Sequence, residues 1–425
     1  MEASVVSMDE RWPPASTSGG GGATTTFMAQ SYSCDVRIRP VDKGDSRSSS
    51  SLATARQQHF DSGRIYDAAN DDDDDDEQFG GQPPSETDRF GFYLSSPMTS
   101  AGDEPVEALP VEVLRRRERK WLEMFDNWPH YMNRRFDKVR DRCRKGVPPS
   151  LRGRAWKYLS GAAYHMEDPR TRGVFEQLDA NPGSPRWVDD IEKDLHRQFP
   201  EHELFSRQGS YGKIGREDLF RLLKAYTVLH PEEGYCQGQA PIAATLLMHM
   251  PLKDAFFVFV QICHKYLPGY YSPGLEAVQL DGEILYRLLK EKSRLSYNHL
   301  KKHSVDPVLY MVEWFMCAYA RTLPWSSVLR VWDMFFCEGV KVLFKVAIVL
   351  FRYGLGNRRD IKQHADFQAI LQRLRRLPPQ IMEEHFLTSR VVELKLDEEE
   401  LEKTHYKQLK RRLKEKGKQF NPSTV

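Results

Sequence analysis

At 425 residues, with 40% hydrophobic and 29% charged side chains, the chain is long enough for one large domain or two ordinary ones. The first hundred residues carry 17 acidic and 8 basic side chains, so a total of +2 leaves +11 on residues 101–425, a field that suits an acidic partner without choosing among anionic lipid, nucleic acid and protein. Six scattered cysteines (Cys34, Cys143, Cys236, Cys263, Cys317 and Cys337), with no Cys-x-x-Cys pair, argue against a metal site or a disulfide framework.

In chain order, residues 1–105 are expected to be a disordered acidic, Ser/Gly-rich arm. Gly19–Gly22, Ser48–Ser51 and the aspartate run 71–76 offer too little apolar surface to offset chain entropy. The start of the chain shows no apolar leader, and the apolar runs near 241–251 and 255–263 are too short to span a bilayer, so a cytoplasmic protein is expected. From Val111 the character changes. Leu114, Trp121, Leu122, Phe125 and Trp128 recur at helical spacing, and Leu219, Leu222, Leu223 and Tyr226 form a second stripe. Apolar blocks at Ala255–Ile262, Val308–Tyr319, Val328–Phe336, Val340–Phe351 and Phe367–Leu374 predict buried helices, and Pro148, Pro200, Pro268, Pro324 and Pro378 fall between blocks. Without hairpin pairs or a strand–helix–strand rhythm, the expected fold is all-α, with a helical domain over 110–390. A charged helix is expected over 396–418, acidic first and basic last as its dipole prefers. Leu401, Leu409 and Leu413 lie on one side of it, and the plainest expectation is a solvated helix.

The chain has no Gly-x-x-x-x-Gly-Lys-Ser/Thr run, Gly-x-Ser-x-Gly elbow, His-Glu-x-x-His pair or kinase signature set, so a nucleotide site of its own and the common hydrolytic chemistries lack support. What remains are polar islands in apolar helical text. They are 144–156 (RKGVPPSLRGRAW), 191–197 (IEKDLHR), 234–239 (GYCQGQ) and 323–339 (LPWSSVLRVWDMFFCEG). Each has a plain structural explanation. Arg197 could close a helix at the surface, Gln237 could satisfy backbone in a turn, and Arg330, Trp332 and Asp333 could form a packed helix with a buried ion pair.

Together and in this order, the four segments resemble the TBC-domain family of Rab GTPase-activating proteins, over about Arg144 to His385. The family's I-x-x-D-x-x-R element falls on Ile191, Asp194 and Arg197, its Y-x-Q element on Tyr235 and Gln237, and its R-x-x-x-W element on Arg152 and Trp156. The resemblance implies a two-lobed helical domain that acts in trans on a GTP-loaded Rab, in vesicle trafficking and endosome recycling. It makes Arg197 an arginine finger and Gln237 the residue that places the attacking water. Asp194 would orient the arginine and Tyr235 the glutamine loop, while Arg152 and Trp156 are structural. The resemblance implies no cofactor of the protein's own, since GTP and Mg are carried by the partner GTPase. It implies no metal site and no nucleic acid. Gln239 stands where many members look apolar. The alternative is a non-catalytic Rab-binding scaffold or adaptor, and a remoter one is a basic peripheral protein contacting anionic membrane through residues 403–416.

The text between the motifs also resembles the subgroup ending in a PDZ-binding tail and joined to cortical actin scaffolds. Ser423 and Val425 match that tail, a hydroxyl two residues before a terminal aliphatic. Recruitment to the plasma membrane or endosomes follows as an expectation.

Overall fold

The computed structural model describes residues 86–94, 110–207 and 209–415. The acidic arm to residue 85 and the tail with Ser423 and Val425 lie outside the described residues.

The all-α expectation holds. Trp121, Met124 and Phe125 bury one face of α1 (Val111–Asp126), and α2 (Trp128–Arg134) and α3 (Phe136–Lys145) follow. Gly146 ends α3 at φ 92°, which only glycine adopts freely, and turns the chain towards α4 (Arg152–Ser160). Three short elements come next: α5 (Ala162–Glu167), α6 (Val174–Ala180) and α7 (Pro185–Leu195). Pro185 opens α7 where an amide N–H would have no helical partner. The stripe at Leu219, Leu222, Leu223 and Tyr226 is the buried face of α8 (Gly212–Leu229). Every residue of α9 (Gln239–Leu247) is buried, and α10 (Leu252–Gln261) widens into a π-turn at Ile262–Tyr266.

The second half runs through α11 (Glu276–Lys292), α12 (Arg294–Lys302), α13 (Val308–Met311), α14 (Trp325–Glu338) and α15 (Lys341–Gly354). Then come α16 (Arg358–Gln363), α17 (Phe367–Arg375), α18 (Pro379–Met382), α19 (Glu384–Glu393) and α20 (Glu398–Glu415). The helices form two groups. One is α4–α10, centred on α8 and α10; the other is α11–α15 with α18–α20, centred on α11 and α15. α14 also packs on α3 and α4, so it ties the groups together.

Three expectations are corrected. Residues 86–94, assigned to the disordered arm, pack on the domain. Phe92 is fully buried, and isolated antiparallel bridges pair Thr87 with Tyr93 and Phe92 with His202. The apolar run Val308–Tyr319 is not one helix. It ends in a π-turn at Val312–Met316, after which Ala318 and Tyr319 take left-handed backbone, φ 44° and 62°. Finally, α20 is docked on α11 rather than solvated. Leu401 is buried, Arg412 Nε donates to Glu283 at 2.8 Å, and Lys292 Nζ pairs with Glu400 at 2.8 Å. No described helix is long and apolar enough to cross a membrane.

Candidate functional site

Arg197 sits one residue past the C-cap of α7, where the chain leaves the helix. A side chain at a helix end points away from the packed shaft, and that of Arg197 keeps 42% of its surface exposed. One turn earlier, Asp194 faces inward with 7% of its side chain exposed, and its Oδ1 accepts from the Arg197 guanidinium. Its other oxygen accepts from the Tyr235 hydroxyl at 2.8 Å. Burial, with the neighbouring Asp194 carboxylate adding to it, pushes the Tyr235 phenol well above its ordinary pKa. It therefore stays protonated and remains a donor. A guanidinium has five N–H groups, so one edge can stay on Asp194 while the others face outward. Ile191, on the same helix, is fully buried and anchors it to the core.

The glutamine loop is held from three directions. Gly234, at φ 67°, lies flat on Trp187 of α7, where a Cβ would stand 2.1 Å from the indole ring. Gln239 is fully buried, and its side-chain oxygen accepts the Cys236 amide at 3.0 Å, closing the turn. Gly238 backs onto Met316, at the end of the π-turn before the left-handed residues. Between these anchors Gln237 is half-buried, and its side chain has no hydrogen-bond partner among the described residues. The structure thus joins Asp194, Arg197 and Tyr235 directly, with Gln237 two residues beyond the tyrosine.

The other motif residues form a separate, buried node. Asp333 on α14 is fully buried. It accepts from the Val147 amide at 2.8 Å and Trp156 Nε1 at 2.9 Å, and it pairs with Arg152 Nε at 3.3 Å. Burial lifts the Asp333 carboxyl above its ordinary pKa although Arg152 and the two N–H donors pull the other way. The buried ion pair expected within 330–333 is therefore made with Arg152, 181 residues away in sequence. Arg330 pairs instead with Glu384 of α19, and Trp332 donates to the Ala318 carbonyl at 3.0 Å. Arg152 and Trp156 meet at this shared carboxylate.

Sequence reasoning missed Trp187, Phe199 and Arg321. Phe199 takes φ 43° two residues after Arg197, and Arg321 Nη1 donates to the Arg197 carbonyl at 3.5 Å. A Gly after Glu232-Glu233 was the available hint that the loop needs close approach. Surface grooves elsewhere, such as the one lined by Lys292, Arg352, Tyr353 and Arg390, do not include Arg197 or Gln237.

The RabGAP-TBC family, described as the Rab-GTPase-TBC domain, matches residues 149–355. The protein named TBC1 domain family member whacked, from Drosophila melanogaster, is 46% identical over 78% of this chain and 89% of its own length. The chain belongs to the Rab-GTPase-TBC domain family. It is 54% identical to mouse TBC1 domain family member 10A, over 76% of this chain and 63% of that relative. It is 52% identical to human TBC1 domain family member 10B, over 80% of this chain and 41% of that protein. This chain thus matches less than two thirds of the length of either of these two relatives. Among solved structures, the TBC domain of a Chlamydomonas flagellar RabGAP superposes with a TM-score of 0.54 at 24% identity, covering 72% of this chain and 98% of that one. The second gives 0.51 at 18%, covering 61% and 91%, and is titled the Ypt/Rab-GAP domain of Gyp1p. Both support the TBC fold.

Proposed function

We propose that this protein accelerates GTP hydrolysis on a Rab-family small GTPase, with Arg197 and Gln237 supplied in trans. The observation that supports it is the Arg197–Asp194–Tyr235 chain, in which one buried carboxylate fixes both motifs at an exposed edge. A pure binding surface has no need of a half-exposed, oriented arginine together with a glutamine left without a partner among the described residues.

Phosphoryl transfer asks little covalent work of the protein, so positioning and charge stabilisation carry the catalysis. A guanidinium is planar and permanently charged and can bridge two oxygens. Delivered in trans, it raises the rate roughly 10³- to 10⁵-fold, about 4–7 kcal/mol of barrier. Asp194 holds the Arg197 side chain in one arrangement, so less rotamer freedom is lost on docking. The Gln237 amide carries a donor and an acceptor, the two functions needed to orient a water. GTP and its magnesium ion belong to the partner, and the +11 charge of residues 101–425 suits an acidic GTPase face. By the same reading the protein regulates membrane trafficking, and Ser423 and Val425 fit a PDZ groove on an actin-linked scaffold at the plasma membrane or endosomes.

Single-turnover GTP hydrolysis across a panel of GTP-loaded Rabs tests the main claim. Strong acceleration of one or a few Rabs is expected, abolished by Arg197→Ala and by Gln237→Ala while both variants remain folded. Rabs that bind but hydrolyse at their intrinsic rate would instead identify a scaffold.

A further inference from the structure

We infer that residues 86–94 are a positioning strap for the arginine loop, with Phe92 as its key residue, and that activity depends on it. The inference rests on Arg197 being the finger. The strap lies far upstream of the family match at 149–355, yet it clasps the segment that follows Arg197.

The strap is a tight turn stabilised from within. The Asp88 carboxylate accepts the Phe90 and Phe92 amides at 2.8 and 3.0 Å, and the Asp88 amide donates to the Phe92 carbonyl at 2.7 Å. Outward it bonds to residues 201–203. The Tyr93 amide donates to the Glu201 carbonyl and the Glu203 amide to the Gly91 carbonyl, both at 2.9 Å. His202 adds a third link. Its Nδ1 accepts the Leu204 amide at 3.1 Å, which leaves Nε2 as the donor to the Phe90 carbonyl at 2.9 Å.

Phe92 fills the space between these links. Its ring lies 6.2 Å from Phe199, 4.9 Å from His202 and 5.1 Å from Trp325, and Phe199 itself stacks edge-on against Trp325 at 5.4 Å. Phe199 is in left-handed backbone, unfavourable for a bulky side chain and sustained only where surroundings over-determine it. Phe92 and Trp325 are two of those surroundings. Removing the Phe92 wall lets Phe199 relax, and Arg197 is two residues before it. A misplacement of about 1 Å at a reacting group is enough to cost about a hundredfold in rate.

The full chain is compared as wild type, Arg197→Ala, Phe92→Ala, Phe92→Leu and Gly91→Ala. The readouts are kcat and KM on the Rab that wild type accelerates, hydrogen exchange by segment, and melting temperature. Phe92→Ala is expected to lower kcat about tenfold or more with KM changed less than about threefold. Exchange should rise over 86–94 and 196–206 while α8 and α15 stay protected, and Phe92→Leu should recover most of the rate. Should Phe92→Ala melt the whole domain, Gly91→Ala decides. Its Cβ would stand 2.7 Å from His202 Nε2 at φ 92°, so it lifts the strap without emptying the core. Wild-type kcat in Phe92→Ala or, if that variant melts, in Gly91→Ala, with Arg197→Ala slow, overturns the strap's role alone. A wild type that accelerates no Rab, or that Arg197→Ala equals, overturns the finger and the strap with it.

Discussion

Asp194 is the residue on which the site turns, because one buried carboxylate serves two masters at once: the arginine on Oδ1 and the Tyr235 hydroxyl on Oδ2. Hydrogen bonds to a charged group contribute about 1.5–3 kcal/mol. Tyr235→Phe keeps the ring and deletes one of them, so kcat should fall roughly ten- to a hundredfold if the whole bond serves the transition state. Asp194→Asn should fall further, since it removes the charge that orients Arg197 as well. Single-turnover hydrolysis rates on a GTP-loaded Rab, with this protein at saturating concentration, check both. A Tyr235→Phe rate equal to wild type would show that Trp187, Gln239 and Met316 hold the glutamine loop without the tyrosine hydroxyl. At this scale the sequence motifs named side chains that meet in the structure, since Asp194, Arg197 and Tyr235 converge. They were silent on Trp187 beneath Gly234, because an aromatic under a glycine leaves no pattern along the chain.

Between elements, the Asp333 node joins α14 to the turn before α4 and to α4 itself. Losing one partner of a buried ion pair leaves the other uncompensated, at about 3–5 kcal/mol. For a domain of this size each kcal/mol shifts Tm by roughly 2–4 °C, so Asp333→Ala should lower Tm by roughly 6–20 °C. Adding Arg152→Met to Asp333→Leu should cost much less than the sum of the two single changes, because no charge is then left buried. Additive losses in thermal unfolding would mean that Arg152 and Asp333 stabilise independently. Helical spacing identified the buried face of α8, and unbroken apolar runs identified α14 and α15, which are buried nearly all round. It could not show where Val308–Tyr319 ends. That end is set by distant partners, with the Tyr319 hydroxyl donating to the Leu343 carbonyl at 2.9 Å from α15. It also hid the strap, because a compositional average over an acidic arm dilutes Phe90, Phe92 and Tyr93, three aromatics in four residues.

Across the whole molecule, burial of histidines ties stability to pH. Burial lowers His202 to about 4, with the Phe90 carbonyl and Asp88 opposing it, and takes His264 to about 4 and His249 to about 3. Each of these folded-state values lies below the ordinary 6.5, so between pH 4 and 6.5 the unfolded chain binds the extra protons. The stability these groups contribute is complete above pH 6.5 and is lost as the pH falls through that window. Asp281 acts in the opposite sense. Burial lifts it to about 7, against the Tyr270 hydroxyl it accepts from, so unfolding near pH 5 releases its proton. For these four groups the balance near pH 5 is an uptake of about two protons, a slope of roughly 2–3 kcal/mol per pH unit, with acid destabilising. His249→Phe keeps a ring against Trp156 and Trp325 while removing one titrating group. It should flatten that slope by roughly 1 kcal/mol per pH unit, whereas Asp281→Asn should steepen it by about the same amount. Urea unfolding at several pH values between 5 and 6 measures both changes. Parallel lines for His249→Phe and wild type would mean that the His249 ring is protonated equally in the folded and unfolded states.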